Sequence, residues 1–254
     1  MKTILRKAKA LLEESTILLR SVPSVLVALF VASVISMNLL ANKSIDTGLD
    51  WLALDCGIIL SWLSFMTMDI ITKRFGPKAS ILISVLALLI NLLACLIFFL
   101  ASLIPGVWGE SFVDGSEAII NKALNNTFGG NWFVLFGSSV AFIVSAVVNS
   151  ILNWLIGKGF KKNPDGFLAF TMRAYVSTMI GQFVDNLLFA LIVSHTLFGW
   201  SLTQCFTCAA TGAIAELLME VLFSPIGYKV CRHYEKNGVG QAYIDYRAQM
   251  EAGQ

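Results

Sequence analysis

Six stretches of this chain are each apolar for about the 20 residues a helix needs to cross the hydrocarbon of a bilayer. They are Val22–Ala41, Trp51–Ile71, Ala79–Ile104, Trp132–Ile156, Phe167–Thr196 and Leu202–Tyr228. Composition says the same of the whole chain. Of 254 residues, 13% are charged and 57% hydrophobic, against about 25% and 45–50% in a soluble domain. That balance excludes a soluble globular enzyme, and it excludes disorder because there is ample apolar surface to bury. A net charge of +2, dispersed along the chain, excludes a nucleic-acid binder.

The basic residues then set an orientation. Lys2, Arg6, Lys7, Lys9 and Arg20 precede the first run, and Lys43 alone follows it. Lys73, Arg74 and Lys78 follow the second, Lys122 the third, and Lys158, Lys161 and Lys162 the fourth. None follows the fifth, and Lys229, Arg232, Lys236 and Arg247 follow the sixth. The alternation of rich and poor loops predicts, by the positive-inside rule, an all-α polytopic membrane protein with six transmembrane helices and cytoplasmic N and C termini. There is no signal-peptide cleavage pattern, and the first run is long enough to remain as a span.

Other features are arranged around that frame. Residues 1–21 place Ile4, Leu5, Ala8, Leu11, Leu12, Leu18 and Leu19 opposite Lys2, Arg6, Lys9 and Glu13, which predicts an amphipathic helix on the inner surface. Residues 22–228 form the six-helix transmembrane region, and 229–254 a polar cytoplasmic tail with no chemistry assigned. Trp51, Trp108, Trp132 and Trp200 fall at outer ends, as an aromatic belt would. Pro105 to Asn131 is a long outer loop, either a short helix covering an entrance or a solvated connector. The five cysteines form no spaced framework, and Cys205-Phe-Thr-Cys208 is read as two small residues packed in a helix. His195, with no second ligand near it, is read as interfacial. No metal or cofactor is called for.

An ionisable group inside a bilayer is costly unless it faces the bundle interior, so each is a functional candidate. Arg173, Asp185, Glu216 and Glu220 lie deep, with Asp55 and Asp69 nearer the ends of the second span. Asn91, Asn149, Asn153, Gln182 and Asn186 are neutral polar residues within spans. In the fifth span Thr178, Gln182, Asp185 and Phe189 follow i, i+4, i+7, i+11 spacing, one stripe on one helix face. Ser177, Gly181 and Asn186 flank it. Glu216 and Glu220 share a face of the sixth span at i, i+4, where like charges repel, so at least one requires a partner or a proton. Helix depth makes Arg173 and Glu220 an expected ion pair, structural or gating. Pro225 is expected to kink the inner end of the sixth span. There is no HExxH, GxSxG or Walker loop. A polar pocket with no reactive constellation favours transport over catalysis.

The run Arg173-x3-Ser177-Thr178-x2-Gly181-Gln182-x2-Asp185-Asn186-x2-Phe189 resembles the signature of the vitamin uptake transporter family, the bacterial transporters of queuosine precursors. Asp69-Ile-Ile-Thr-Lys-Arg-Phe75-Gly76 is similar to that family's helix-two motif, and the six spans and Trp108 in the third loop also fit. The resemblance covers about residues 22–232. The chain departs from the family at Met68, where a Thr is usual, and at Ala146 and Asn149, where Gln and Asp are common. Glu216 and Glu220 stand near the last helix's proline, where the family often carries Lys.

The resemblance implies a 7-deazaguanine base, or queuine, as substrate, and a homodimer. A guanine-like edge offers two adjacent N–H donors to a carboxylate and a carbonyl to an amide. Asp185 or Glu216 suits the first role, Gln182, Asn186 or Asn149 the second, and Phe189 packing on the ring. Ser177 and Thr178 complete the substrate set, while Arg173, Glu220 and Asp69 are assigned to ion pairing or gating. One rival reading is the substrate-capture subunit of an energy-coupling-factor vitamin importer, docked through Ala28-x3-Ala32 and Ser36. Another is an intramembrane enzyme pairing Cys205 or Ser177 with Glu216.

Overall fold

The computed structural model describes residues 2–108, 117–159 and 167–252, and they are overwhelmingly helical. In chain order the elements are α1 (Lys2–Ser21), α2 (Ser24–Leu40), β1 (Ser44–Ile45), β2 (Leu54–Asp55), α3 (Ile58–Phe75), α4 (Pro77–Leu103) and α5 (Glu117–Gly159). They continue with α6 (Phe167–Phe189), a π-helical turn (Ala190–Ser194), α7 (His195–Phe198), α8 (Leu202–Lys236) and α9 (Gln241–Ala252). The protein is an all-α membrane protein, with one small hairpin in which β1 and β2 pair antiparallel, Ser44 opposite Asp55.

The helices are turned inside out relative to a soluble bundle. On α4 the buried stripe is Ala79, Ile83, Ala87, Asn91 and Cys95, while Leu88, Leu89, Leu92, Leu93, Leu96 and Ile97 are exposed. On α8 the buried stripe is Cys205, Cys208, Ala209, Gly212, Ala213 and Glu216, while Phe206, Ile214, Leu218 and Leu222 are exposed. Small and polar residues inside with branched aliphatics outside is the pattern of helices that pack in lipid, where close approach rather than apolar burial drives association. An apolar surface this extensive requires a nonaqueous solvent.

Among the described residues four segments are long and apolar enough to span: Pro77–Leu103, Ala118–Ser145, Met179–Phe198 and Leu202–Phe223. The bent pair Lys9–Ser21 and Ser24–Leu40, at 106°, counts as a fifth if taken as one span. Two expected spans are shorter than their apolar runs. Trp51–Gly57 forms turn and strand instead of helix, so α3 begins at Ile58 and its 18 residues carry Asp69, Lys73 and Arg74. The 17 residues of α2 reach about 26 Å, less than the ~30 Å hydrocarbon core. The outer loop also differs from expectation. Its second half, from Glu117, is helix continuous with the fourth apolar run, and α5 reaches 43 residues. Trp108 is tied to that helix, its backbone N–H donating to Asn121 Oδ1 at 2.7 Å and its indole N–H to Asn125 Oδ1 at 2.9 Å, with the ring stacked on Phe128. The rest of the loop, 109–116, lies outside the described residues.

Two compact units are present: residues 1–34, 62–90 and 220–254, and residues 35–61 and 91–219. The first is built on a core of Leu18, Val22, Phe30, Ile71, Phe75, Ile83 and Tyr243. Pro23 separates α1 from α2, and Leu11, Leu12 and Leu19 on α1 are exposed while Leu18 is buried. The tail is not featureless. α8 runs through Pro225 to Lys236, then turns at Gly238 (φ +62°) and Gly240 (φ +77°), where left-handed backbone favours glycine. A Cβ at Gly240 would overlap the Phe75 ring. That turn seats α9 on α1. Glu14, 4% exposed, accepts from Lys78 Nζ at 2.5 Å and Tyr243 Oη at 3.3 Å, and pairs with Arg247 Nη1 at 3.6 Å. Arg74 Nε donates to the Val239 carbonyl at 3.1 Å.

Candidate functional site

The second unit holds the polar residues of the fifth apolar run and, from the sixth, Glu216. The β1–β2 hairpin leads into it. Thr47 Oγ1 donates to the Leu52 carbonyl at 2.7 Å, and Gly48 takes the left-handed turn position. Asp55 ends β2, and its Oδ1 accepts the Gly57 backbone N–H at 2.8 Å. A Cβ at Gly57 would stand 2.8 Å from that oxygen and 2.9 Å from the Met37 carbonyl, so only glycine lets the strand enter α3 this closely to α2.

On α6, Gln182, Asp185 and Asn186 are half-buried. Ser145 of α5 donates to Asp185 Oδ1 at 2.9 Å. Asn186 Nδ2 donates to Glu216 Oε2 of α8 at 3.2 Å, and Glu216 is only 7% exposed. Glu216 lies within electrostatic reach of both Asp185 and Asp55. Gly212, one turn before Glu216, makes the α6–α8 approach possible, since a Cβ there would meet Asn186 Nδ2 at 2.7 Å. A carboxylate accepts about four hydrogen bonds, so each of these two pairs leaves acceptor capacity on its carboxyl. The arrangement can bind N–H donors in a low-dielectric setting. Among the described residues no group of three His, Cys, Asp or Glu is arranged to hold a metal ion.

Of the residues singled out from sequence, the structure thus brings together Asp185, Asn186 and Glu216. Phe189 packs beside Ala41, Val134 and Val193. The side chains of Asp69, Asn149, Arg173, Ser177, Thr178 and Glu220 lie outside the described ones, and with them the expected Arg173–Glu220 pair. Trp200 departs from the belt: it is 5% exposed and packs with Ala53, Ala190, Cys205 and Cys208. His195 Nδ1 hydrogen-bonds the Trp200 carbonyl, a local contact. All five cysteines are buried thiols outside any disulfide, and Cys205 Sγ faces the Ala190 carbonyl. Ser145 was missed because serine is unremarkable in a membrane helix. Its signal was its place one turn before Asn149, on the same face of α5. Asp55 was missed as a neighbour of Glu216 because its run reads as unbroken helix.

The family model described as "Putative vitamin uptake transporter" matches residues 55–230. The chain belongs to that family of multi-pass membrane transporters. No curated protein and no solved structure matches it.

Proposed function

We propose that this protein imports a 7-deazaguanine base, a queuosine precursor or queuine, across the bacterial inner membrane, with six spans and both termini in the cytoplasm. The observation that supports this reading most is the pairing of Asp185 with Ser145 and of Glu216 with Asn186 in one unit. Each pair couples a carboxyl, which accepts N–H groups, to a neutral polar neighbour that holds it in place. Asp185 or Glu216 takes the two adjacent N–H donors of the base, and Gln182, Asn186 or Asn149 donates to its carbonyl. Ser177 and Thr178 extend the stripe, Phe189 bounds the ring, and Arg173, Glu220 and Asp69 serve ion pairing or gating. A base lacking these donors leaves a buried carboxylate unpaired, which is the source of selectivity. α1 lies on the inner surface, its exposed leucines toward lipid, as the 106° bend into α2 suits.

A thermal-shift titration of detergent-purified protein tests the substrate class, because a ligand that binds only the folded state raises the melting temperature. Stabilisation by 7-deazaguanine or queuine and not by biotin is expected. Stabilisation by biotin alone would refute it. The substrate-capture reading has one supporting observation, exposed Ala28 and Ala32 on α2. Copurification with a coupling subunit and its ATPases would decide for it.

A further inference from the structure

The β1–β2 hairpin stands against the helices that carry Asn186 and Glu216. Ala53 packs with Ala190 of the π-helical turn and with Cys205 and Cys208 of α8. The Thr207 hydroxyl of α8 donates to the Trp51 carbonyl at 2.6 Å, and Cys208 lies against the Asp55 backbone. Cys208, Gly212 and Glu216 follow at i, i+4 and i+8, so one face of α8 leads from the hairpin to the Asn186–Glu216 pair. The hairpin therefore covers one end of the α6–α8 crevice, the outer end in the topology proposed above.

This cover carries a charge of its own. Asp55, the hairpin residue paired with Ser44, lies within electrostatic reach of Glu216, which lies within reach of Asp185. Three carboxyls thus converge from three elements, β2, α6 and α8. Their described partners are neutral: the Gly57 N–H, the Ser145 hydroxyl and the Asn186 amide. The other titratable groups against them are the Cys205 and Cys208 thiols. Arg173 stands more than three turns from Asp185 along α6, about 18 Å. Like charges gathered in a low-dielectric setting repel strongly, and neutral donors offset only part of that cost. Asp185 and Glu216 are fixed on long packed helices, whereas Asp55 rides on a two-residue strand. The repulsion is relieved by a proton or by movement of the hairpin.

We propose that the hairpin is the outer gate of this site, and that it closes when the facing carboxyls Asp55 and Glu216 take up one proton between them. With both ionised, the hairpin lifts, carries Asp55 away from Glu216 and opens the crevice to the outside. A proton from the outer solution forms an O–H on one of the two and removes one charge of the facing pair, which seats the hairpin as the structure has it. Asp185 stays ionised for the N–H donors of the base. Loss of that proton to the cytoplasm resets the gate, so the base enters with a proton. The inference rests on the transport reading for what passes the gate, and adds to it the gate and the ion that moves with the substrate.

The gate is tested without substrate. Spin labels on cysteines placed at Leu49 in the hairpin loop and Leu202 at the start of α8, both exposed, in a cysteine-free background report their separation by double electron–electron resonance in liposomes. A single distance, that of the closed hairpin, is expected at about pH 5, and a second, longer one at about pH 9. Asp55→Asn is expected to hold the closed distance at both. Should it fail to fold, Glu216→Gln removes the facing charge from the other side with the same expected result. Identical wild-type distances at both pH values would overturn the gate, and a pH response kept in full by Asp55→Asn would overturn the role of the carboxyls. Coupling is read from uptake of radiolabelled 7-deazaguanine into proteoliposomes. An outside-acid gradient is expected to raise wild-type accumulation several-fold and to leave that of Asp55→Asn unchanged. Wild-type uptake indifferent to the gradient would overturn the coupling. No wild-type uptake under any gradient would refute the substrate reading, while a pH-dependent hairpin distance would still uphold the gate.

Discussion

Asp185 and Glu216 differ from most polar residues of this chain in being held by partners on other helices. Removing the charge while keeping the shape isolates their role. Asp185→Asn and Glu216→Gln are each expected to weaken 7-deazaguanine binding about tenfold to a hundredfold, the loss of one hydrogen bond to a charged group at about 1.5–3 kcal/mol. Equilibrium binding on purified protein checks this, and unchanged affinity in both variants would refute the assignment. Gly212 gives a sterically distinct prediction. Gly212→Ala puts a methyl 2.7 Å from Asn186 Nδ2, so Asn186 is displaced from Glu216 at a cost of about 1–3 kcal/mol. A lowered melting temperature together with weaker binding is the expected pair of outcomes. At this scale the sequence was partly informative. Residue type drew attention to Asp185, Asn186 and Glu216 as candidates, because ionisable and amide side chains in apolar runs are rare. Asn91 was visible only as one polar residue in a span. That its amide has no hydrogen-bond partner among the described residues is a property of the packing around it, which no local pattern encodes.

At the scale of elements, hydropathy located the helices and missed how their ends are used. The run from Trp51 reads as helix because apolar content alone does not separate a hairpin from a span. What ends the helix is Gly57, whose missing Cβ admits Asp55 and the Met37 carbonyl. The polar C-terminal segment carried little signal because the contact that orders α9 is between residues far apart in sequence, Glu14 and Tyr243. Burial and the Glu14 carboxylate push the Tyr243 phenol up to about 12. A tyrosine whose folded-state pKa exceeds its unfolded value of ~10 contributes stability that is complete below pH ~10 and is lost as pH rises from 10 to about 12. Tyrosinate absorbance should therefore show a late-titrating component in this window, absent from Tyr243→Phe. Glu14→Ala leaves Lys78, Arg247 and Tyr243 without their common acceptor. Since Lys78 and Arg247 are partly exposed, the loss is expected to be about 1–3 kcal/mol, below the cost of breaking a fully buried pair. Faster amide hydrogen exchange across Gln241–Ala252, with the rest of the chain unaffected, is the expected reading. Equal protection in wild type and variant would contradict it.

For the whole molecule, the family and the all-α membrane architecture follow from the chain's composition, its helices and the match over residues 55–230. The proposed six-span topology rests on charge alternation and on apolar runs of which α2 and α3 occupy the short ones, whereas four or five spans are long and apolar enough among the described residues. Single cysteines placed at Lys43 and Lys122 of a cysteine-free background are expected to react with an impermeant maleimide on intact cells. One at Lys236 is expected to react only after permeabilisation. Labelling of the Lys236 position from outside would overturn the cytoplasmic C terminus. The central claim is that this chain, unaided, carries a deazaguanine base across a bilayer. The most direct test is uptake of radiolabelled 7-deazaguanine into proteoliposomes containing the purified protein and nothing else. Saturable uptake that is competed by queuine, indifferent to biotin and abolished by Asp185→Ala is predicted. Protein that binds the base yet moves none of it without added coupling proteins would contradict the account.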